Sequence, residues 1–165
     1  MEIVEHCMHA NEDYARTFGE QGQMDKHPAK HLAVLACMDC RIEVEKMLGL
    51  APGDAHILRN AGGIVTDDVI RSLILSYRFL GIREILVINH TGCGLLGLFD
   101  DQLRKELALE TGKDTSALQF HGFRDLENNL VSQVQTIKAS PYIPHEIAVH
   151  GLIYDVKTGR LRKVV

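Results

Sequence analysis

The sequence predicts an α/β protein with a central, mostly parallel β-sheet, flanking helices and an N-terminal helical arm. Three short apolar runs, HLAVLAC, DAHILRN and EILVINH, alternate with segments of helical periodicity. Apolar runs of this length are typical of strands that are covered on both faces, as in parallel sheets. Strands that alternate with helices are usually joined by crossover connections, which make the strands parallel.

The first element is predicted to be the helical arm. Apolar residues recur at roughly helical spacing from residue 2 to residue 18: Ile3, Val4, Cys7, Met8, Tyr14 and Phe18. The polar stretch GEQGQMDKHPAKH then breaks the pattern. We expect one domain of residues 1–165, made of an arm (1–27) and an α/β core (28–165), with Cys7 as a packing residue.

Two helices are predicted between the three strands. RIEVEKMLGL, residues 41–50, has helical periodicity and ends near Gly49. TDDVIRSLILSYRFLG, residues 66–81, carries signals at both ends. Thr66 can cap its first turn, two aspartates follow at the positive end of the helix dipole, and Gly81 can end it.

The second half of the chain is predicted to hold two more helices and a hairpin. The helices cover FDDQLRKELALE (99–110) and FRDLENNLVSQVQTIKA (123–139), with the polar loop TGKDTS after the first and SPYIP after the second. Residues 146–165 alternate in polarity around a KTGR turn, which indicates a β-hairpin.

Composition excludes several classes of partner. The 165 residues include 22 acidic and 18 basic side chains, give a net charge of −4, and contain no basic block for nucleic acid. No run approaches the ~20 apolar residues of a membrane span, and the N-terminus does not resemble a signal peptide. With only four cysteines and no export signal, we expect a cytoplasmic protein without a disulfide framework.

Candidate site residues follow the ends of all three predicted strands. Cys37 ends the first strand, Asn60 follows the second and His90 ends the third. Ligands in open α/β sheets bind at the carboxyl ends of the strands, so these residues are expected to converge. Cys40 lies three residues after Cys37, and Cys93 lies three residues after His90.

The spacing of these cysteines allows several chemistries. Two thiolates and an imidazole are good zinc ligands, and three ligands leave the fourth tetrahedral position open for catalysis. If Cys40 also bound, the site would be closed and structural. A third reading is a thioredoxin-like redox pair. Asp39 and Arg41 flank Cys40, and alternate residues of an extended segment can lie on the same side. A guanidinium there would hold the carboxylate ionised. This arrangement favours the open site.

The motifs CMDCR and HTGC, with GDAHILRNAGG, TDDVIRSL and HGLIYDVKTGRL, closely resemble the β-class carbonic anhydrases, in particular the small bacterial and archaeal branch. The resemblance covers residues 28–104 and 137–162. It implies one Zn²⁺ per chain on Cys37, His90 and Cys93, with Asp39 and Arg41 as the catalytic dyad. The implied reaction is reversible hydration of carbon dioxide to bicarbonate and a proton by zinc-bound hydroxide.

Other residues near the motifs receive less specific predictions. The floor of a substrate pocket is expected to be formed by Asn60, Ala61, Gly62 and Gly63. Asn60 is explained equally well as a turn-forming residue. Cys40, where family members usually have Ser or Ala, is expected to be a small buried space-filler. A proton shuttle is needed, and His56, His31 or buffer are the candidates.

The resemblance leaves the substrate and the assembly open. The fold is also similar to hydrolases of carbonyl sulfide and carbon disulfide, which are linear electrophiles shaped like carbon dioxide. The resemblance further implies a homodimer or homotetramer in which the N-terminal arm reaches a neighbouring subunit. The expected partner is a small-molecule substrate, with no nucleic acid and no membrane.

Overall fold

A computed structural model describes residues 2–165. Five strands form one sheet in the order β2-β1-β3-β4-β5. Their bounds are Leu32–Cys37 (β1), Ala55–Asn60 (β2), Glu84–His90 (β3), Ala148–Tyr154 (β4) and Leu161–Lys163 (β5). Strands β1 to β4 are parallel and β5 is antiparallel to β4. The predicted α/β class with a mostly parallel sheet is therefore confirmed.

The sheet is covered by apolar layers on both faces, which explains why its central strands read as apolar runs. All six residues of β1 are buried. Alternate residues contribute to opposite layers, so Ala33 and Leu35 belong to one core cluster, and Val34 and Ala36 to the other. A one-residue shift would exchange the two layers, so the register of β1 is strongly specified.

Within residues 2–165, five α-helices surround or precede the sheet. Their bounds are Ile3–Arg16 (α1), Val44–Leu48 (α2), Asp67–Leu80 (α3), Asp100–Thr111 (α4) and Leu126–Lys138 (α5). The Thr66 side chain accepts a hydrogen bond from Val69 N, and Gly81 ends α3 with a φ of 71°, as predicted. Helix α2 is shorter than predicted because residues 39–42 form a tight turn, in which Ile42 N donates to Asp39 O.

The predicted C-terminal hairpin is formed by β4 and β5. Tyr154 pairs with Leu161, and Asp155 N donates to Arg160 O at 2.9 Å across the turn. Gly159 adopts a φ of 70° in this turn. Strand β4 also pairs with β3, so the hairpin extends the parallel sheet at its edge.

Helix α1 stands apart from the core. None of its residues is buried, and Cys7 is exposed, so Cys7 does not pack against the rest of its own chain. The reason is that the apolar stripe of α1 does not lie on the body of the chain. The division into an arm of residues 1–27 and a core of residues 28–165 stays a prediction. Among residues 2–165, no helix has the length and apolarity needed to cross a membrane.

Candidate metal centre

Three potential metal ligands meet at the carboxyl edge of the sheet. Cys37 is the last residue of β1, His90 is the last residue of β3, and Cys93 lies in the turn that follows β3. Their ligand atoms all lie within 4.8 Å of one another, and all three residues are buried. The structure thus brings together the three residues that the spacing and the resemblance singled out.

His90 presents an unpartnered nitrogen to this cluster. Its Nδ1 lies 3.0 Å from the carbonyl oxygen of Thr91. A carbonyl oxygen only accepts hydrogen bonds, so Nδ1 carries the proton and Nε2 keeps a free lone pair. This Nε2 is buried without a hydrogen-bond partner among the described residues. Burial also lowers the pKa of His90, which favours the neutral imidazole that a metal requires.

The two cysteines complete a donor set that suits zinc. Burial raises the pKa of the Cys93 thiol, and the neighbouring Cys37 raises it further. A divalent cation reverses this balance because it stabilises the thiolates. Gly62 N also donates a hydrogen bond to Cys37 Sγ at 3.3 Å. Two thiolates and one imidazole fit zinc with one coordination position left open.

Asp39 lies beside the ligands and is held by Arg41. Arg41 donates from Nε to Asp39 Oδ1 at 2.9 Å, from Nη2 to Oδ2 at 2.7 Å, and from its backbone N to Oδ1 at 3.0 Å. These hydrogen bonds hold the pKa of Asp39 well below its usual range. Asp39 Oδ2 lies 3.9 Å from His90 Nε2, so an ionised carboxylate faces the metal position.

A second arginine supports the same turn, and sequence reasoning missed it. Arg59, on β2, donates from Nε to Cys37 O at 3.0 Å and from Nη2 to Asp39 O at 2.7 Å. It therefore fixes the backbone that carries one ligand and the carboxylate. The only signal in the sequence was its position beside the NAGG turn, which does not reveal contacts across 20 residues.

The predicted pocket floor, residues 60–63, contacts one of the ligands through the hydrogen bond from Gly62 N to Cys37 Sγ. Asn60 and Ala61 line an apolar cavity of about 310 Å³ together with Leu95 and other side chains. The Asn60 side chain also donates to Ile64 O and accepts from Ile64 N, both at 2.8 Å, so it shapes the loop as well. The role of residues 60–63 in binding substrate stays a prediction.

Gly63 shows why this loop requires glycine. Its φ is 62°, and a Cβ atom there would lie 3.0 Å from Cys37 N and 3.1 Å from Ala36 C. Gly62 has a φ of 80°, and a Cβ atom there would lie 2.3 Å from Leu95 Cδ1, the end of a side chain rather than backbone. Gly63 therefore lets the loop pass directly against the end of β1, and Gly62 supplies a second left-handed position in the same turn.

The prediction for Cys40 is wrong, and the two histidine candidates for the proton shuttle lie away from the ligands. Cys40 is exposed rather than buried, because it occupies the tip of the tight turn that begins at Asp39. His31 precedes β1, and His56 lies near the start of β2, paired with Ala33. Both histidines are therefore at the opposite edge of the sheet from the ligands, and neither is placed to exchange protons there. His56 Nδ1 instead lies 2.7 Å from Ser76 Oγ.

Comparison with known proteins agrees with this site. The carbonic anhydrase family profile matches residues 32–161. β-Carbonic anhydrase 1 of Mycobacterium tuberculosis is 39% identical, with 99% of each chain covered. A carbon disulfide hydrolase of Saccharolobus solfataricus is also 39% identical, over 81% of this chain and 77% of the relative.

A solved structure extends the agreement to three dimensions. The crystal structure of carbonic anhydrase from Streptococcus mutans matches with a TM-score of 0.88 and 40% identity, covering 100% of this chain and 99% of that one. The matched range of the family profile includes all three residues of the cluster at the sheet edge, Cys37, His90 and Cys93. The chain belongs to the β-carbonic anhydrase family.

Proposed function

We propose that this protein is a zinc lyase that catalyses the reversible hydration of carbon dioxide, with Cys37, His90 and Cys93 as the ligands of one Zn²⁺ per chain. The observation that carries the proposal is the unpartnered Nε2 of His90, buried between two thiols and facing an ionised Asp39. Zinc bound there supplies a Lewis acid that lowers the pKa of water and so provides a nucleophile near neutral pH.

Asp39 and Arg41 are proposed to orient the reacting water. Because Arg41 keeps the carboxylate ionised, Asp39 Oδ2 can only accept a hydrogen bond. Accepting one O–H of the water turns an oxygen lone pair toward the substrate carbon. Arg41 is itself fixed, since its Nη2 also donates to Gly92 O at 3.1 Å. The dyad thus supplies orientation without having to change its own protonation.

The pocket proposal concerns residues 60–63. Ala61 and Asn60 line the apolar cavity of about 310 Å³. Carbon dioxide is small and has no net dipole, so its transfer from water to an apolar wall costs little hydration free energy. We assign Gly62 and Gly63 to the pocket floor, where the absence of side chains lets the backbone come close to a small substrate.

The alternative substrates are carbonyl sulfide and carbon disulfide. The relatives named carbon disulfide hydrolase match about four-fifths of this chain, whereas the carbonic anhydrase of M. tuberculosis matches 99% of it. This full-length match favours carbon dioxide. A closed structural zinc site and a thioredoxin-like redox pair are both disfavoured, because Cys40 is exposed and Cys37 is buried.

The test is stopped-flow hydration of carbon dioxide by the zinc-loaded protein at about pH 8.5. We expect rapid turnover that falls about 100-fold in Asp39→Asn, the scale seen when one positioned hydrogen-bonding group is lost. Asp114→Asn is the matched control, because Asp114 also accepts a backbone N–H two residues ahead, from Ser116. It should retain full activity.

Two results would contradict the proposal. No hydration of carbon dioxide by protein with one bound zinc would remove the proposed substrate, and release of hydrogen sulfide from carbon disulfide would then establish the alternative. Full activity in Asp39→Asn would remove the proposed role of the carboxylate while leaving the reaction itself intact.

We also propose a homodimer or homotetramer. The support is α1, none of whose residues is buried, although Ile3, Val4 and Met8 are apolar and exposed. An apolar helical stripe of this kind is normally covered by another surface. Sedimentation equilibrium should give two or four times the chain mass of 18.4 kDa. A monomer at micromolar concentration would contradict this assembly.

A cytoplasmic location is proposed on the cysteine chemistry. All four cysteines are free, and two of them are the proposed zinc ligands, which must remain reduced to bind. A reducing compartment keeps them in that state. Cell fractionation with antibodies to the chain should find it with cytoplasmic markers, and recovery from an oxidising compartment would contradict the proposal.

A further inference from the structure

A chain of three side-chain amides connects helix α5 to the loop beside the ligands. Asn89, on β3, is 1% exposed and precedes the ligand His90. Its Oδ1 accepts a hydrogen bond from Asn129 Nδ2 at 2.9 Å. Asn129 Oδ1 in turn accepts from Gln133 Nε2 at 3.2 Å. None of these residues belongs to the proposed ligand set, the dyad or the pocket floor.

The two ends of this amide chain hold the same loop. Asn89 Nδ2 donates to Gly62 O at 3.0 Å and contacts Gly63 O at 3.4 Å. At the other end, Gln133 Oε1 accepts from Val65 N at 2.6 Å. The loop from Gly62 to Val65 is therefore held at two separate points by one connected network.

The orientation of every amide is determined by the backbone groups at the ends. A backbone N–H can only donate, so Gln133 must turn its oxygen to Val65 and its nitrogen to Asn129. Asn129 must then turn its nitrogen to Asn89. Asn89 is left with its nitrogen facing Gly62 O, and a carbonyl oxygen can only accept. Donors and acceptors match along the whole chain, as a buried polar network requires.

This network fixes the position of the N–H that meets a ligand sulfur. Gly62 N donates to Cys37 Sγ at 3.3 Å from the same residue whose carbonyl oxygen Asn89 holds. We propose that Asn89, Asn129 and Gln133 are positioning residues that aim the Gly62 N–H at Cys37 Sγ and so set the strength of this thiolate as a zinc ligand. The inference rests on the proposed ligand set.

The test is Asn129→Asp, which preserves size and removes one hydrogen bond. An ionised aspartate can still accept from Gln133 but cannot donate to Asn89 Oδ1. Asn128→Asp is the matched control, since it makes the same charge change at the neighbouring exposed position. Two measurements report on Cys37 Sγ as a ligand. The first is the zinc dissociation constant, obtained by competition with a chromophoric chelator. The second is the thiolate charge-transfer band of the cobalt-substituted protein.

We expect Asn129→Asp to raise the zinc dissociation constant about tenfold and to shift the cobalt band. A tenfold change is at the low end of the range found when a contact that supports a metal ligand is lost. Asn128→Asp should match the wild type in both. An unchanged dissociation constant and band in Asn129→Asp, even with lowered thermal stability, would show that the network is only structural. An equal change in Asn128→Asp would overturn the inference too, because charge alone would then explain the effect.

A second pair of variants keeps the test decisive if Asn129→Asp does not fold. Gln133→Glu retains the acceptor for Val65 N and loses the donor to Asn129, and the exposed Gln135→Glu is its control. The same direction of change is expected, and no difference between this pair would overturn the inference. Failure of the ligand set itself would appear separately, as wild-type protein that binds no zinc or shows no thiolate band with cobalt.

Discussion

Replacing Gly63 by alanine tests how closely the loop must approach β1. The residue has a φ of 62°, and a Cβ atom would meet Cys37 N at 3.0 Å, Ala36 C at 3.1 Å and Ile88 O at 3.2 Å. The left-handed conformation alone costs an alanine about 1–2 kcal/mol. Contacts at these distances involve backbone that cannot rotate away, and overpacking of this kind costs about 1–3 kcal/mol.

Gly49→Ala separates the two contributions. Gly49 has a φ of 65°, nearly the same conformation, but a Cβ atom there would have nothing within 4 Å. It should lose only the conformational part, about 1–2 kcal/mol. We therefore expect Gly63→Ala to be destabilised by about 2–5 kcal/mol and to exceed Gly49→Ala by about 1–3 kcal/mol.

Urea unfolding of the metal-free chain is the assay, at one fixed chain concentration so that assembly does not alter the comparison. Because the new methyl group presses on Cys37 N, Gly63→Ala should also bind zinc more weakly, whereas Gly49→Ala should bind it normally. Equal destabilisation by the two substitutions would refute the reasoning, because the close contact of the new methyl group with β1 would then cost no unfolding free energy.

Three further predictions concern pH, support of the site and metal. Hydrogen bonds from the N–H of Gly122 and from those of residues 120 and 121 lower the pKa of Asp100. The ionised Asp100 therefore stabilises the folded chain above about pH 4, and this stabilisation is lost as pH falls. The unfolding free energy of Asp100→Asn should therefore change less between pH 6 and pH 3 than that of the wild type. Arg59→Leu, measured by zinc competition, should raise the zinc dissociation constant about tenfold by releasing the backbone of Cys37 and Asp39. Zinc at 1,000 times its dissociation constant should add about 4 kcal/mol to the unfolding free energy, which a chelator should remove.

The sequence was informative wherever local chemistry decides the structure. Thr66 and Gly81 mark the ends of α3 because capping depends on residues a few positions apart. The convergence of Cys37 and His90 could be expected because parallel strands place their carboxyl ends on one edge. Asp39 and Arg41, two residues apart in one turn, form the ion pair that their alternation indicated.

Features that depend on distant contacts could not be predicted. Arg59 reaches Cys37 O across 22 positions, and Asn129 reaches Asn89 across 40. Asn89 is recognisable in the sequence as a polar residue directly after the four apolar residues 85–88 of EILVINH, but its partners lie on other elements. The exposure of Cys40 depends on where the turn before α2 ends, and helix starts are poorly specified when no side-chain cap is present.

The central claim is that three residues hold zinc and Cys40 does not. Zinc-edge X-ray absorption tests it directly, because sulfur ligands lie at about 2.3 Å and nitrogen or oxygen ligands at about 2.0–2.1 Å. We expect two sulfur ligands per zinc in the wild type, and the same spectrum and full zinc content in Cys40→Ser. Three sulfur ligands in the wild type, falling to two in Cys40→Ser, would show a closed structural site and contradict the account.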